Sequence, residues 1–134
     1  MIRVALGLGC DRGTSLRTLE TAVQRALAAA NLDYGAVDLA ATIDKKNDEQ
    51  AILSLAQRHG WPLRFYSAEG LSQVQVPSPS ETVRKHMGTP AVAEAAAILA
   101  SNGHMGDLLL EKYRHKGDDG KNATVSVARV GSDA

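Results

Sequence analysis

The chain has 134 residues, in which 15 Lys and Arg balance 15 Asp and Glu, and one cysteine, Cys10. This length suffices to bury a core without disulfides or metal, and we expect residues 1–134 to form one domain. The charge balance argues against a nucleic-acid partner, because phosphates are neutralised by an excess of Lys and Arg. The lone cysteine, the lack of a secretory signal and the lack of an 18-residue apolar run predict a cytoplasmic protein without a membrane partner.

The N-terminal part of the chain predicts alternating strands and helices. An apolar run from Ile2 to Leu8 has the character of a buried strand. Apolar residues then recur at spacings of three and four from about Ser15 to Ala30, which indicates an amphipathic helix, with Asn31 as its C-terminal cap. A second strand is predicted at Asp38 to Ile43.

A second helix and a third strand follow. Asn47 with Gln50 three residues later resembles a capping box and predicts the start of a helix that ends at Gly60. Leu63 to Tyr66 is predicted to be the third strand. With right-handed crossovers, this order of elements produces a parallel sheet.

Two further helix starts are visible in the middle of the chain. Ser78-Pro79-Ser80-Glu81 has a capping serine and a proline at the first helical position, and Gly88-Thr89-Pro90 opens an alanine-rich helix from Ala91 to Ala100. This second helix is apolar nearly all round, so we expect it to be buried against the sheet. Glu94 is its only charge, and a solvated face is the expected place for it.

Two strands are predicted to close the chain. They run from Leu108 to Leu110 and from Thr124 to Val130, and the charged stretch Lys112 to Lys121 is expected to be a solvated hairpin loop. The predicted fold class is therefore α/β: a single domain with a mixed, mostly parallel sheet of about five strands, flanked by helices and ending in an antiparallel hairpin.

The turn from Gly7 to Ser15 has the features of an anion site. Its glycines allow a tight turn, Thr14 or Ser15 can cap the next helix, and Arg12 adds planar donors for carboxylate or phosphate oxygens. The turn is neither a dinucleotide fingerprint, because Arg12 stands where the last glycine belongs, nor a Walker loop, because Gly13 stands where Lys belongs. A nucleotide-binding module is an alternative that rests on this turn alone.

The loops after the three parallel strands are expected to meet at one edge of the sheet, where ligands bind in such folds. They bring polar residues towards a common cleft: Arg12, Thr14, Ser15, Asp44, Lys45, Lys46, Ser67 and Glu69. Asp44 and Glu69 are candidate bases, and Lys46 is a candidate for stabilising an oxyanion. Cys10 is a candidate nucleophile because an adjacent helix start lowers a thiol pKa. No metal or cofactor is expected, since the histidines have no metal-ligand spacing: His59, His86, His104 and His115.

Blocks of residues from the predicted strands, turns and helix starts resemble the CobE proteins and the C-terminal domain of CbiG, a family of corrin-ring (cobalamin) biosynthesis. The resemblance keeps order and spacing from residue 4 to 130. It is carried by Gly7 to Ser15, by Ala41-Thr42-Ile43-Asp44 with Lys46 and Glu49, by Phe65 to Glu69, by Pro79-Ser80, by Gly88-Thr89-Pro90 with Val92 to Ala95, and by Val125 to Arg129.

The resemblance implies a compact α/β fold and a protein that binds or acts on a precorrin or corrinoid. It also implies other enzymes of the pathway as further partners. Precorrins carry acetate and propionate side chains, which suit a cleft of helix N-termini and cations. The residues expected to bind the ligand are Gly9, Cys10, Arg12, Gly13, Thr14, Ser15, Thr42, Asp44, Lys46, Ser67, Ala68, Glu69, Gly88 and Thr89, with apolar contacts from Leu71, Tyr66 or Met87.

Two functions follow from this family. Because the chain is too short to hold the N-terminal region of CbiG, it looks more like CobE, and the leading hypothesis is a protein that binds and presents a precorrin. The alternative is the hydrolysis of a ring lactone with release of acetaldehyde, as associated with CbiG, in which Asp44 or Glu69 is the base and Lys46 or Arg12 stabilises the oxyanion.

Overall fold

The computed structural model describes residues 2–74, 92–102 and 107–130. The predicted helix start at 78–81, the turn at 88–90 and Met87 lie outside these residues. The described elements, in chain order, are β1 (Val4–Cys10), α1 (Leu16–Ala29), β2 (Val37–Ile43), α2 (Gln50–His59), β3 (Leu63–Tyr66), α3 (Ala68–Ser72), α4 (Val92–Ser101), β4 (Leu108–Lys116) and β5 (Asn122–Arg129).

The five strands form one mixed sheet in the order β3-β2-β1-β5-β4. β1 pairs with β2 and β2 with β3 in parallel, as the alternation of strands and helices predicts. β5 then inserts between β1 and β4 and runs antiparallel to both. The predicted fold class, an α/β fold with a mixed sheet of five strands and a C-terminal antiparallel hairpin, is confirmed.

Helices cover both faces of the sheet because successive side chains of β1 point to opposite faces. Leu6 and Leu8 belong to the core that also contains the apolar faces of α1 and α2. Ala5 belongs to the second core, which is built with α3 and α4. The domain is therefore a three-layer arrangement with the sheet in the middle.

Helix α4 approaches the sheet at Gly7 so closely that no side chain fits there. A Cβ atom on Gly7 would lie 1.7 Å from the carbonyl oxygen of Ala93 and 2.8 Å from the amide nitrogen of Ala97. The alanines of α4 allow this close packing, and nearly all of the helix is buried, as its composition predicts. Gly7 thus fixes how deeply α4 sits against β1, and α4 in turn carries Glu94.

Two details of the predicted elements are wrong. Helix α2 begins at Gln50 with Glu49 as its N-cap, so Asn47 does not cap it; residues 44–46 form a 3-10 turn that Asn47 ends. The stretch from Lys112 to Lys116 is not a loop, because β4 continues through it to pair with β5, and the connection is confined to 117–121. The error arises because β4 is an edge strand, and its alternating exposed charges give this stretch the composition of a loop.

Candidate functional site

A cavity of about 370 Å³ opens where β1 and β2 end, which is within the usual size range of small-molecule sites. Its walls come from the β1–α1 turn, the end of β2, the first turn of α4 and the β4–β5 hairpin. The lining residues are Gly9, Cys10, Asp11, Arg12, Thr42, Ile43, Lys46, Val92, Ala93, Glu94, Lys112, Arg114, Asn122 and Thr124. The cavity thus lies at the edge of the sheet where the sequence predicts a ligand site.

Basic side chains outnumber acidic ones in this lining. Arg12 and Lys46 come from the loops after β1 and β2, and β4 adds Lys112 and Arg114. The acidic side chains are Asp11 and Glu94, and Asp11 is already engaged by the backbone and side-chain amides of Asn122 at 2.9 and 3.1 Å. Three of the four cations already lie near carboxylates: Arg12 Nη1 and Lys46 Nζ lie 3.2 and 4.0 Å from Glu49 Oε1, and Lys112 Nζ lies 3.4 Å from Glu94 Oε1. An anion that enters the cavity therefore meets cations that the chain's own carboxylates also approach, and charges in a partly enclosed site are only weakly screened.

Glu94 is the buried charge of the cavity. Its side chain is 0% exposed, and Lys112 Nζ lies 3.4 Å from its Oε1 atom. Neither carboxylate oxygen accepts a hydrogen bond from any residue that the structure describes. Burial raises the pKa of Glu94, an effect that Lys112 opposes and Glu111 reinforces. The expected solvated position of Glu94 is wrong: a helix apolar on every side has no solvated face to offer it.

Arg12 bridges the loops after β1 and β2. Its Nη1 atom lies 2.7 Å from Asp48 Oδ1 and 3.2 Å from Glu49 Oε1, and its Nη2 donates to the carbonyl of Lys45 at 2.7 Å. Arg12 holds the pKa of Asp48 below its usual range, chiefly through the hydrogen bond. The Arg12 side chain is still 58% exposed, so these pairs leave it accessible to a ligand at the mouth of the cavity.

Cys10 does not have the lowered thiol pKa expected of a nucleophile at a helix start. Burial raises its pKa, and the nearby Glu49 carboxylate adds to this effect, whereas Lys46 and a hydrogen bond with Thr14 oppose it. Desolvation outweighs the positive charges because the thiolate is the charged form. Cys10 lines the cavity as a neutral thiol.

The chain's own carboxylates occupy the anion donors of the glycine turn. Asp119, on the β4–β5 connection, accepts the Ser15 N–H at 2.9 Å and the Thr18 hydroxyl at 3.0 Å, and hydrogen bonds from backbone N–H groups lower its pKa to about 2. Glu49 accepts the Gly13 N–H at 3.1 Å. These donors of the turn thus hold intramolecular carboxylates, whereas the sequence predicts a ligand anion there. The nucleotide-binding alternative rests on this turn alone and gains no support from it.

The structure brings together part of the residue set predicted from the sequence. Gly9, Cys10, Arg12, Thr42 and Lys46 line the cavity. The other described members do not: Gly13, Thr14, Ser15, Asp44, Ser67, Ala68 and Glu69. Binding roles for the first group stay predictions.

The residues outside the lining have structural contacts of their own. Thr14 donates to the carbonyl of Asp11, and Ser67 caps α3 by accepting the Gly70 N–H. Asp44 lies in the 3-10 turn after β2, and Ala68 and Glu69 begin α3. Gly88 and Thr89 are outside the described residues.

Sequence reasoning missed the wall that β4 and β5 supply. Lys112, Arg114, Asn122 and Thr124 reach the cavity because β5 inserts next to β1, which local patterns do not reveal. The burial of Glu94 could have been predicted from the sequence, since a single charge on an otherwise apolar buried helix must itself be buried.

Within residues 2–74, 92–102 and 107–130, no group of three or more His, Cys, Asp or Glu side chains is placed to hold a metal ion. The same part of the chain contains no helix that is long and apolar enough to cross a membrane.

The fold and the cavity define a small α/β domain with a cavity, lined by four basic side chains among the described residues, at the carboxyl edge of its parallel strands. A comparison with known families identifies it further: the family model described as cobalamin synthesis G C-terminus matches residues 4–128. The chain belongs to this family of cobalamin biosynthesis.

Two curated relatives have different names. The chain is 36% identical to Protein CobE of Sinorhizobium sp over 111 residues, which are 81% of this chain and 71% of the relative. It is 35% identical to the cobalt-precorrin-5A hydrolase of Priestia megaterium over 127 residues. That match covers 95% of this chain but only 32% of the hydrolase, so the chain spans about a third of the hydrolase's length.

Solved structures agree with this assignment. The crystal structure of CobE, a protein from the cobalamin (vitamin B12) biosynthetic pathway, superposes with a TM-score of 0.82 at 30% identity, covering 99% of this chain and 94% of CobE. The cobalamin biosynthesis protein chiG from Agrobacterium tumefaciens superposes with a TM-score of 0.65 at 25% identity, covering 97% of this chain and 99% of that protein.

Proposed function

We propose that the chain binds a precorrin or corrinoid intermediate of cobalamin biosynthesis in the cavity at the carboxyl ends of β1 and β2, and assists its conversion or transfer. The observation that carries the proposal is the convergence of four basic side chains on this cavity: Arg12, Lys46, Lys112 and Arg114. The family places the chain in cobalamin biosynthesis, and its relatives include CobE and cobalt-precorrin-5A hydrolases.

The charges of the cavity suit an acidic macrocycle. Acetate and propionate side chains project from the rim of such a ligand, so several carboxylates reach several cations at once. Each charge-assisted hydrogen bond contributes roughly 1.5 to 3 kcal/mol. Four of them therefore contribute roughly 6 to 12 kcal/mol, a range that includes the about 8 kcal/mol of micromolar binding once the association entropy is offset by apolar contact.

The apolar part of the lining gives the macrocycle a surface to rest on. Gly9 contributes bare backbone, and Ile43, Val92 and Ala93 contribute hydrocarbon. A Cβ atom added at Gly9 would meet no atom nearer than Thr124 Cβ at 4.0 Å, so the space above Gly9 is open. A ligand can thus approach the backbone of β1 closely at this point.

A titration with a metal-free corrinoid that has free carboxyl groups tests the proposal. We expect the corrinoid absorbance spectrum to change on binding, with saturation at tens of micromolar or below. The same corrinoid with esterified carboxyl groups is the matched ligand control and should bind at least about tenfold more weakly, because it lacks the charges that the cations recognise. Equal binding of both forms, or of neither, would contradict the proposal.

Lactone hydrolysis is the second candidate, and one observation favours it. Glu94 is a buried carboxyl with a raised pKa in the cavity, which is the environment of a general acid or base. Lys46 and Arg12 line the same cavity and are our candidates for stabilising the oxyanion, whereas Asp44 and Glu69 are absent from its described lining. Glu94 is therefore our candidate base for this reaction.

An acetaldehyde assay on a lactonised precorrin separates the two functions. A binding protein produces no acetaldehyde above the rate without protein, whereas a hydrolase produces it and loses the activity in the Glu94→Gln variant. The Glu69→Gln variant is the control, because Glu69 is an exposed residue outside the described lining of the cavity.

A further inference from the structure

Glu94 opposes the binding of the ligand that the rest of the cavity attracts. It places a buried carboxyl in a lining that is otherwise mostly cationic, and it pairs with Lys112, one of the four cations. A carboxylate of the ligand and the carboxylate of Glu94 compete for the same ammonium group. Both cannot stay ionised side by side without a large electrostatic cost, because like charges in a poorly solvated site repel strongly.

We propose that Glu94 and Lys112 form a subsite for one ligand carboxylate, in which the ligand takes over Lys112 Nζ while Glu94 binds a proton from solvent and donates it in a hydrogen bond to the ligand. This inference rests on the proposed function and deepens it. It predicts that binding of the acidic ligand is coupled to the uptake of one proton, and that Glu94 sets the pH dependence of the affinity.

The geometry supports such an exchange. Lys112 Nζ is 3.4 Å from Glu94 Oε1, and the lysine side chain is 24% exposed, so a ligand carboxylate can reach Lys112. Because the Glu94 side chain is 0% exposed, the proposed exchange requires Lys112 Nζ to move away from Glu94 and open the buried carboxyl to the ligand. Neither oxygen of Glu94 accepts a hydrogen bond within the described part of the chain, so nothing described there holds the ionised form besides Lys112. A protonated Glu94 gains a donor that a ligand oxygen can accept.

The neighbours of Glu94 leave it as the group to take up the proton. The charged or titratable groups that share its cavity, or act on it from β4, are Cys10, Asp11, Arg12, Lys46, Glu111, Lys112 and Arg114. β2 and β5 contribute only uncharged side chains to the lining: Thr42, Ile43, Asn122 and Thr124. Asp11 Oδ2 accepts two hydrogen bonds from Asn122, and Cys10, whose pKa burial raises, already carries its proton.

The direction of the effect follows from linkage. A ligand that raises the pKa of Glu94 binds more tightly at low pH, and its affinity falls as pH rises from the pKa of Glu94 in the free protein to its pKa in the complex. Within this window a coupling of one proton changes Kd by about tenfold per pH unit. A merely structural role for Glu94 gives no such slope.

The experiment measures the Kd of the metal-free corrinoid between pH 5 and 9 for the wild type, Glu94→Gln, Lys112→Met and the control Glu69→Gln. Gln is isosteric with Glu and removes a buried charge, so the fold is expected to tolerate it, which circular dichroism verifies. We expect the Kd to depend steeply on pH in the wild type and in Glu69→Gln, and to be nearly independent of pH in Glu94→Gln. At the alkaline end of the range, Glu94→Gln should bind more tightly than the wild type. Lys112→Met should bind at least about tenfold more weakly throughout.

Calorimetry in two buffers of different ionisation enthalpy counts the protons directly. We expect about one proton more per ligand for the wild type than for Glu94→Gln. Equal slopes and equal proton counts, with both proteins binding, would overturn the carboxylate subsite and leave the proposed function standing. Failure of the wild type to bind the corrinoid at any pH would overturn the proposed function itself.

Discussion

Replacing Gly7 by alanine should expel α4 from its place on the sheet. The new Cβ atom would lie 1.7 Å from the carbonyl oxygen of Ala93, 2.7 Å from its carbonyl carbon and 2.8 Å from the amide nitrogen of Ala97. Carbon and oxygen atoms that are not bonded stay at least about 3 Å apart, so the helix or the strand has to move by more than an ångström. The obstacle is backbone, and no rotamer change can relieve it.

The cost follows from what the displaced helix buries. Overpacking of a well-packed core costs typically about 1 to 3 kcal/mol, and a rigid backbone obstacle puts this variant at or above the upper end, so we expect a loss of about 3 kcal/mol or more. The displacement also carries Glu94 away from Lys112, because both Ala93 and Glu94 belong to the first turn of α4. Gly7→Ala should therefore weaken ligand binding as well as stability.

Urea unfolding followed by circular dichroism measures the effect, with Gly9→Ala as the matched control. Gly9 lies two residues along the same strand, and its added Cβ would meet nothing nearer than 4.0 Å. Alanine costs less backbone entropy than glycine in a strand, so Gly9→Ala should be neutral or stabilising by up to about 1 kcal/mol. Equal midpoints for the two variants would refute the proposed packing of α4 on Gly7.

Three further predictions concern charged groups. Asp119 has a pKa lowered to about 2, so its contribution to stability is present above about pH 4 and is lost as pH falls towards 2; the melting temperature of Asp119→Asn should fall less than that of the wild type over this range. Burial and the 2.8 Å hydrogen bond that Tyr34 donates to Glu20 raise the pKa of Tyr34 to about 12. The wild type should therefore lose stability between pH 10 and 12, and Tyr34→Phe should lose less. Identical melting temperatures of the two proteins across this range would exclude the linkage. Arg12→Ala should weaken corrinoid binding by about tenfold in an absorbance titration, and unchanged affinity would remove Arg12 from the site. Its melting temperature should fall modestly, because the exposed pair with Asp48 contributes little, whereas the buried Glu49 carboxylate loses one of its two cationic partners.

The sequence was sufficient to predict the parallel half of the fold. β1, α1, β2, α2 and β3 have apolar periodicities that match their burial, and their boundaries fall within a few residues of the predicted ones. Strand β4 was predicted too short because it is an edge strand, whose alternating charges are favourable in a sheet edge and equally typical of a loop. The insertion of β5 beside β1 is a long-range pairing that no local pattern encodes.

The candidate site was predictable only where it follows from topology. Arg12 and Lys46 meet because the loops after adjacent parallel strands must meet. The partners of the glycine turn were not predictable, since Asp119 is more than a hundred residues from Ser15 and joins it only through the hairpin. The burial of Glu94, by contrast, was predictable, because Glu94 is the single charge of a helix whose other residues are almost all apolar and buried.

The most direct test of the account fills the cavity. Gly9 lines the cavity, and a Cβ atom added there meets no atom nearer than Thr124 Cβ at 4.0 Å, so we expect Gly9→Phe to fold and its ring to fill part of the cavity. In a titration with the metal-free corrinoid, the account predicts binding by the wild type and by Gly9→Ala, and at least about a hundredfold loss of affinity in a folded Gly9→Phe. Wild-type affinity in Gly9→Phe would show that the ligand binds elsewhere and would contradict the account.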